Sequence, residues 1–458
     1  MRFSDTIAAV ATPAGAGGIG IVRISGPAAL DVFLPLFEFS SPNARMLPRR
    51  MVLGRIRDPG SGRALDEVLA VFMPGPRSYT GEDVVEIQAH GGLGVTAAIL
   101  EAVLSGGARL ADPGEFTRRA FLNGRLDLAQ AEAVWDMVEA RSAREARLAA
   151  AQLSGALGRA LAPIRASLES LRARLSAAVD FPDEVEAIEP MDIRQGIEHG
   201  VLAPLLALAR RAAEGELLRR GLSVALLGKP NVGKSSLLNA LLGRDRAIVS
   251  PYPGTTRDSL SETLTLDGHL VSVWDTAGLR IQSDPLEALG MEKTREAMER
   301  ADVWIVVVEA HLPLAAEDIA LLSEARSRRA LVAANKSDLL PVDASFSLPA
   351  EWEMLPLVSV SALRGDGLEN LSRSVWKLAG LSADPDPEDG VPNLRHRLAL
   401  EDAARIIRAG LDRADESFLP ELLALDLEEA LARLGDITGE SVAPDVLDAV
   451  FSRFCVGK

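Results

Sequence analysis

Two short runs carry the residue types best suited to chemistry: Gly-Lys-Pro-Asn-Val-Gly-Lys-Ser at 228–235 and Asn-Lys-Ser-Asp at 335–338. The first has the spacing G-x-x-x-x-G-K-[ST], in which backbone N–H groups at a helix N-terminus cradle phosphates. Here the loop of Asn231, Val232, Gly233, Lys234, Ser235 and Ser236 would do so. Lys234 would reach the β- and γ-phosphates, and the Ser235 hydroxyl would bind Mg²⁺. In the second run the Asp338 carboxylate is placed to accept hydrogen bonds from guanine's ring N–H and exocyclic amine, a donor pair that adenine lacks. Asn335, Lys336 and Ser337 complete that loop, and Ser361-Ala362-Leu363 is expected to buttress the base. The two runs together predict GTP rather than ATP.

Further residues bear on what happens to the nucleotide. Gly254-Thr255-Thr256 supplies Thr256 as a second Mg²⁺ ligand. In Asp275-Thr276-Ala277-Gly278, Asp275 would hold Mg²⁺ through water, and the Gly278 N–H would sense the γ-phosphate. Signalling GTPases next carry a glutamine that orients the attacking water. This chain has Leu279, which cannot do so. Two residues offer a replacement. Glu287 can hold the water, directly or through a second water. Asn231 can help bind a monovalent cation beside the phosphates, standing in for part of an arginine finger's effect of about 10³–10⁵ in rate.

These loops need a scaffold. Ser223–Leu227, Leu270–Trp274, Val303–Val308, Leu331–Ala334 and Leu357–Val360 are aliphatic or β-branched runs suited to a buried parallel sheet. Ser259–Leu266 and Leu270–Trp274 flank Asp267-Gly268, a hairpin signal that adds one antiparallel edge. Upstream, 126–220 is rich in Ala, Leu, Arg and Glu, a helical composition. Leu157, Leu161, Ile164, Leu168, Leu171 and Leu175 form an apolar seam at helical spacing, which Pro163 is expected to kink or interrupt. Phe181-Pro182-Asp183-Glu184 marks a break, and Asp384–Pro392 an acidic, Pro-rich linker. Helical texture returns from Leu394. Strand candidates at Gly18–Arg23, Val68–Met73 and Val84–Ala89, with a helix at Leu93–Leu104, make residues 1–125 α+β. The chain therefore reads as a multidomain α+β protein. Residues 126–220 plus 381–458 form a helical bundle domain, and 221–380 an inserted P-loop α/β G domain whose nucleotide state could move the bundle halves.

The 458 residues carry a formal net charge of −16, against a surface that is a nucleic-acid footprint throughout. Residues 1–125 are nearly balanced, with 13 Arg and 12 Asp plus Glu. Arg45, Arg49, Arg50, Arg55, Arg57 and Arg63 bunch there and read as a solvated loop face. Lysine is scarce, at six, so each one invites a reason. No apolar run approaches the roughly 18–20 residues of a membrane span, and the first residues lack the pattern of a signal peptide. With Cys455 as its one cysteine, the chain is expected to be cytoplasmic and free of membrane.

Four further segments extend the pattern: Gly-Gly-Ile-Gly-Ile-Val-Arg-Ile-Ser-Gly at 17–26, Tyr-Thr-Gly-Glu-Asp-Val-Val-Glu at 79–86, Pro-Gly-Glu-Phe-Thr-Arg-Arg-Ala-Phe-Leu-Asn-Gly-Arg-Leu-Asp at 113–127, and Phe-Cys-Val-Gly-Lys at 454–458. With them, over essentially its whole length, the chain resembles the MnmE (TrmE) family of tRNA modification GTPases. The resemblance implies that residues 1–125 bind folate and dimerise, giving a homodimer. It implies K⁺-stimulated GTP hydrolysis with Asn231, Ser250, Tyr252 and Thr255 as K⁺ ligands. The loop Ser250-Pro251-Tyr252-Pro253-Gly254-Thr255-Thr256 would then lie on the nucleotide, and Glu287 matches the catalytic acidic position. It further implies a heterotetramer with the FAD-containing partner MnmG, which installs a carboxymethylaminomethyl or aminomethyl group at C5 of the wobble uridine of certain tRNAs. The carbon donor would be a one-carbon tetrahydrofolate, 5-formyl or 5,10-methylene. Arg23, Glu86, Arg125 and Lys458 match the folate positions, with Arg125 where the family often has Lys. A pterin edge presents the same N–H and amine pair as guanine, so Glu86 could accept it, while the cations meet the folate's carboxylates. By itself Glu86 could equally face solvent, and a C-terminal lysine is usually a frayed end. The family's C-terminal motif gives Cys455 a part in the modification step. The alternative reading is a GTP-dependent ribosome-assembly factor. That role calls for a basic RNA-binding module, which the helical and C-terminal regions do not display.

Overall fold

The computed structural model describes residues 4–181, 183, 189–244, 261–266, 269–275, 298–341, 344–380 and 391–458. The chain forms two compact units. One comprises 1–138, 152–201 and 402–458, the other 139–151 and 202–401.

In the first unit the strands are β1 (Ile7–Val10), β2 (Gly17–Ser25), β3 (Phe37–Phe39), β4 (Val52–Arg57), β5 (Ala64–Met73), β6 (Val84–Gly91) and β7 (Arg109–Leu110). They form one sheet in the order β3-β4-β5-β6-β2-β1-β7, antiparallel except for the β1–β7 pair. Alternation decides its two faces. Ala8, Val22, Ile24, Ile56, Val68, Ala70, Val85, Ile87 and Ala89 point to one face, where Ile99, Ala102 and Val103 of the helix Leu93–Ser105 cover them. Arg23 and Glu86, one residue out of phase, take the other face, with Ile7, Ala9 and Phe116.

The helix Ala156–Asp180 buries the whole expected seam from Leu157 to Leu175 and packs along Pro420–Thr438, aided by ion pairs Arg165–Glu440 and Arg172–Glu428. Pro163 does not interrupt it. The proline sits on the exposed side, where water can satisfy the carbonyl it leaves unbonded, while the buried seam holds the helix together.

The second unit holds β8 (Leu222–Leu227), β9 (Ser261–Leu266), β10 (His269–Asp275), β11 (Val303–Glu309), β12 (Ala330–Asn335) and β13 (Leu357–Ser359). Their order is β13-β12-β11-β8-β10-β9, parallel apart from the edge strand β9, as the sequence pattern predicts. Both faces are buried. Val224, Leu226, Ile305, Val307, Leu331 and Ala333 enter one core; Ala225, Leu227, Trp304, Val306, Val308 and Val332 enter the other. That two-sided burial explains the near-continuous aliphatic runs. The loops after β8 and β12 leave the carboxyl ends of the strands, where open α/β sheets bind ligands. The hairpin turn Asp267-Gly268 and most of the acidic linker lie outside the described residues. No described helix is long and apolar enough to cross a membrane.

Candidate functional site

The loop after β8 begins at Gly228, whose φ of +147° and closeness to Val307 O exclude a side chain. Asn231 follows with φ +66° and Gly233 with φ +94°. The helix Lys234–Arg244 then starts, bringing Lys234 and Ser235 into its first turn. Lys234 Nζ donates to the carbonyls of Gly228 (2.7 Å) and Lys229 (2.9 Å), so the ammonium lies across its own loop.

The loop after β12 docks onto the first. Asn335, buried, donates from Nδ2 to Val232 O (2.8 Å) and accepts the Ala362 N–H on Oδ1 (3.1 Å). A Cβ on Gly233 would lie 2.3 Å from that Nδ2, which is why the loop needs glycine there. Lys336 is left-handed (φ +61°) and donates to Asn231 O (2.9 Å) and to the Glu309 carboxylate. Ser337 N–H bonds Val360 O (3.1 Å). Asp338 accepts the Ser361 hydroxyl (2.6 Å), whose oxygen also receives the Arg364 N–H (3.2 Å). That hydroxyl holds the Asp338 carboxyl below its usual range, so it is ionised and suited to accept from guanine. Leu363 is exposed beside it. The structure therefore brings 231–236, 335–338 and 361–363 together. Ser250 through Thr256, Thr276, Ala277, Gly278, Leu279 and Glu287 lie outside the described residues, and Asp275 is placed only as the end of β10. Among the described residues no group of three or more His, Cys, Asp and Glu is arranged to hold a metal ion. Ser235, in the first turn of the phosphate-loop helix, fits a hydroxyl ligand to a nucleotide-bound Mg²⁺.

A second polar cluster lies in the first unit. Arg23 Nε donates to Glu86 Oε1 at 2.8 Å, the two being direct partners across β2 and β6. The guanidinium also lies over the Tyr79 ring (5.3 Å) and the Phe116 ring (5.6 Å). Burial pushes the Tyr79 hydroxyl up from its usual range, and it bonds Thr117 Oγ1 at 2.8 Å. Arg125 Nε donates to Ser78 O (3.0 Å), beside Tyr79. The C-terminus is not frayed. Phe451 and Phe454 are buried with Phe121, Leu128 and Trp135, and Val456 forms a bridge to Pro113. Gly457 (φ +100°) lies so close to Val10 that a Cβ would be 2.1 Å from its carbonyl oxygen. Val10 pairs with Val22, next to Arg23, so the fold carries Lys458 to the strands that hold Arg23 and Glu86. Cys455 is exposed.

Sequence reasoning missed three groups. Arg119, fully buried, binds Asp5, Glu82 and Glu115 beneath the 79–86 loop; its only signal was its place in the run 113–127. Glu309 and Asp318 accept from lysines of the nucleotide loops, and the scarcity of lysine was the clue. Nor is the arginine bunch simply a solvated loop. Arg57 lies on β4 and pairs with Glu38 (2.6 Å), while Arg49 donates to Arg77 O (2.6 Å).

Comparison with known proteins matches residues 6–125 to the model of the GTP-binding protein TrmE N-terminus and 128–455 to that of the MnmE helical domain. The chain belongs to the MnmE family. It is 47% identical over 468 residues to the tRNA modification GTPase MnmE of Roseiflexus sp. (strain RS-1), with all of both chains covered. The proteins of the same name from Roseiflexus castenholzii and Moorella thermoacetica are 46% and 44% identical, again over the full length of both. The match to MnmE thus takes in the antiparallel sheet, the helices and the G domain alike.

Proposed function

We propose that this chain is a GTPase of tRNA modification. The observation that carries the reading is the end-to-end identity to relatives named for that activity, joined to a site in which the phosphate and base loops are already docked. Asp338 reads guanine, and the loop 231–236 cradles the phosphates. Ser235 and Thr256 would hold Mg²⁺, with Asp275 behind a water; the bound ion supplies charge neutralisation at the β- and γ-oxygens. In place of a glutamine, Glu287 would position water, and Asn231, Ser250, Tyr252 and Thr255 would hold a K⁺ whose charge would stimulate turnover. Residues 1–125 bind a one-carbon tetrahydrofolate through Glu86, Arg23, Arg125 and Lys458, and dimerise. The cluster suits this ligand: Glu86 gives one oxygen to Arg23 and keeps a second for a pterin donor. Residues 126–220 with 381–458 are the helical domain around the inserted G domain 221–380. The partner is an FAD-bearing MnmG protein, and the product is a C5-aminomethyl-type wobble uridine in tRNA, with Cys455 near the modifying step.

Mass analysis of wobble nucleosides tests the main claim. Cells lacking the gene should carry unmodified uridine, and normal uridine with defective ribosomal subunits would favour the assembly-factor reading. Equal GTP turnover in K⁺ and Na⁺ would remove the cation from the mechanism.

A further inference from the structure

We propose that Glu309 is a positioning residue for nucleotide binding, its carboxylate tying the phosphate loop to the base loop through Lys229 and Lys336. The inference rests on the GTP-binding reading above and adds a residue that belongs to neither motif.

Glu309 is the last residue of β11 and pairs in register with Asn335, the first residue of the base loop. Its Oε1 receives Lys336 Nζ, and its Oε2 lies 3.7 Å from Lys229 Nζ. The Glu309 side chain is only 11% exposed, and those of Lys229 and Lys336 are 18% and 32% exposed, so both contacts are partly shielded from water. Each lysine has another anchor. Lys229 donates to Asp318 Oδ2 (3.2 Å), in a side chain that is 1% exposed, and Lys336 donates to Asn231 O (2.9 Å). Asn231 and Lys336 both have positive φ, a conformation that costs non-glycine residues energy and needs support from its surroundings. The contact between them supplies part of that support, and Glu309 fixes the ammonium that makes it.

Composition points the same way. In a chain that otherwise uses arginine, two of its six lysines stand here. An ammonium is a compact point donor that can divide itself between a carboxylate and a carbonyl in different directions, which a planar guanidinium does poorly. One nucleotide must span both loops, so fixing their spacing beforehand lowers the ordering cost of binding.

Glu309 acts through Lys336 on the backbone and base side of the site, so GDP and GTP should be affected equally. Titration of the full-length chain with each nucleotide tests this. Glu309→Gln should raise both dissociation constants by the same factor, about tenfold, the size expected for losing a charge-assisted contact. Combined with Lys336→Met it should add less than the sum of the two, since both remove one link. If Glu309→Gln yields no folded chain, Glu309→Asp is read instead. It keeps the charge but shortens the reach, and about a threefold equal rise is expected. Unchanged dissociation constants with a lowered melting temperature would overturn the proposal and leave Glu309 a folding residue. So would a rise confined to GTP, or full additivity with Lys336→Met. A parent chain that binds neither nucleotide would instead sink the GTP-binding reading itself.

Discussion

The polar residues of the nucleotide site come from loops, whereas those of the second cluster come from the body of a sheet. At the carboxyl end of the parallel sheet, 228–236 and 335–338 lie at the ends of the buried strands β8 and β12, and 361–363 lie just past the edge strand β13. Each loop brings contiguous residues, and side-chain bonds to the backbone, such as Asn335 Nδ2 donating to Val232 O, lock one loop to another. On the antiparallel sheet, Arg23 and Glu86 stand 63 positions apart in the chain and meet because β2 and β6 pair in one register. A one-residue slip would turn both side chains to the opposite face. In the same unit Arg119, itself fully buried, binds three carboxylates, those of Asp5, Glu82 and Glu115. The first site is set by local backbone geometry and the second by long-range register and charge balance. They should fail in different ways.

Asp338→Asn should show the largest effect, and only on ligand choice. Losing two charge-assisted hydrogen bonds to guanine costs about 3–6 kcal/mol, while an amide can donate to the carbonyl that xanthine carries instead. Nucleotide titration should show GTP affinity falling by two orders of magnitude or more, xanthosine triphosphate gaining, and the melting temperature barely moving. An unchanged preference would reject the base-reading role.

Arg119→Met should do the reverse. It removes the buried cation that Asp5, Glu82 and Glu115 share and leaves Asp5 and Glu115 to Arg109, at a cost of about 3–5 kcal/mol in stability, readable by urea denaturation, with GDP binding left within about twofold. Burial pushes Glu115 up, but hydrogen bonds from Arg109, the Asp112 N–H and Arg119, with Arg119's charge, bring it net below the usual carboxylate range. Asp5 is lowered likewise: burial raises it, and Arg109 and Arg119 outweigh that. Carboxylates depressed in the folded state add stability above their unfolded values, near pH 4, and lose it as the pH falls through the folded values. Acid unfolding of the variant should accordingly begin at higher pH. A variant as stable and acid-resistant as the parent would show the network to be dispensable.

Gly457→Ala should have the smallest effect, confined to the C-terminus. The added methyl meets Val10 O, and alanine pays for the positive φ, together costing about 1–3 kcal/mol. Faster carboxypeptidase removal of Lys458 is expected, with GDP affinity retained. A tail that stays protected would separate Lys458 from the strand contact that places it.

The two regions were unequally legible in the sequence. β8 and β10–β13, the seam from Leu157 to Leu175 and the base loop could be read from short windows, because aliphatic runs, helical spacing and glycine-bearing turns are local consequences of backbone sterics and burial. The course of Pro163 could not be read that way. Whether a proline breaks a helix depends on which side faces water and what the other side buries. The same holds for Lys458, whose ordered seat comes from buried Phe451 and Phe454 and from Val10, far away along the chain.

By itself the sequence determined that a guanine nucleotide loop pair sits on a parallel sheet within a larger helical chain, since each motif's chemistry is contained in consecutive residues. Only the tertiary structure decided that Glu86 meets Arg23, that Arg119 is buried among carboxylates, that the last residues close against β1, and that Glu309 stands between two lysines. Those pairings depend on strand register and on burial summed over distant segments, and neither is written in any one window of residues.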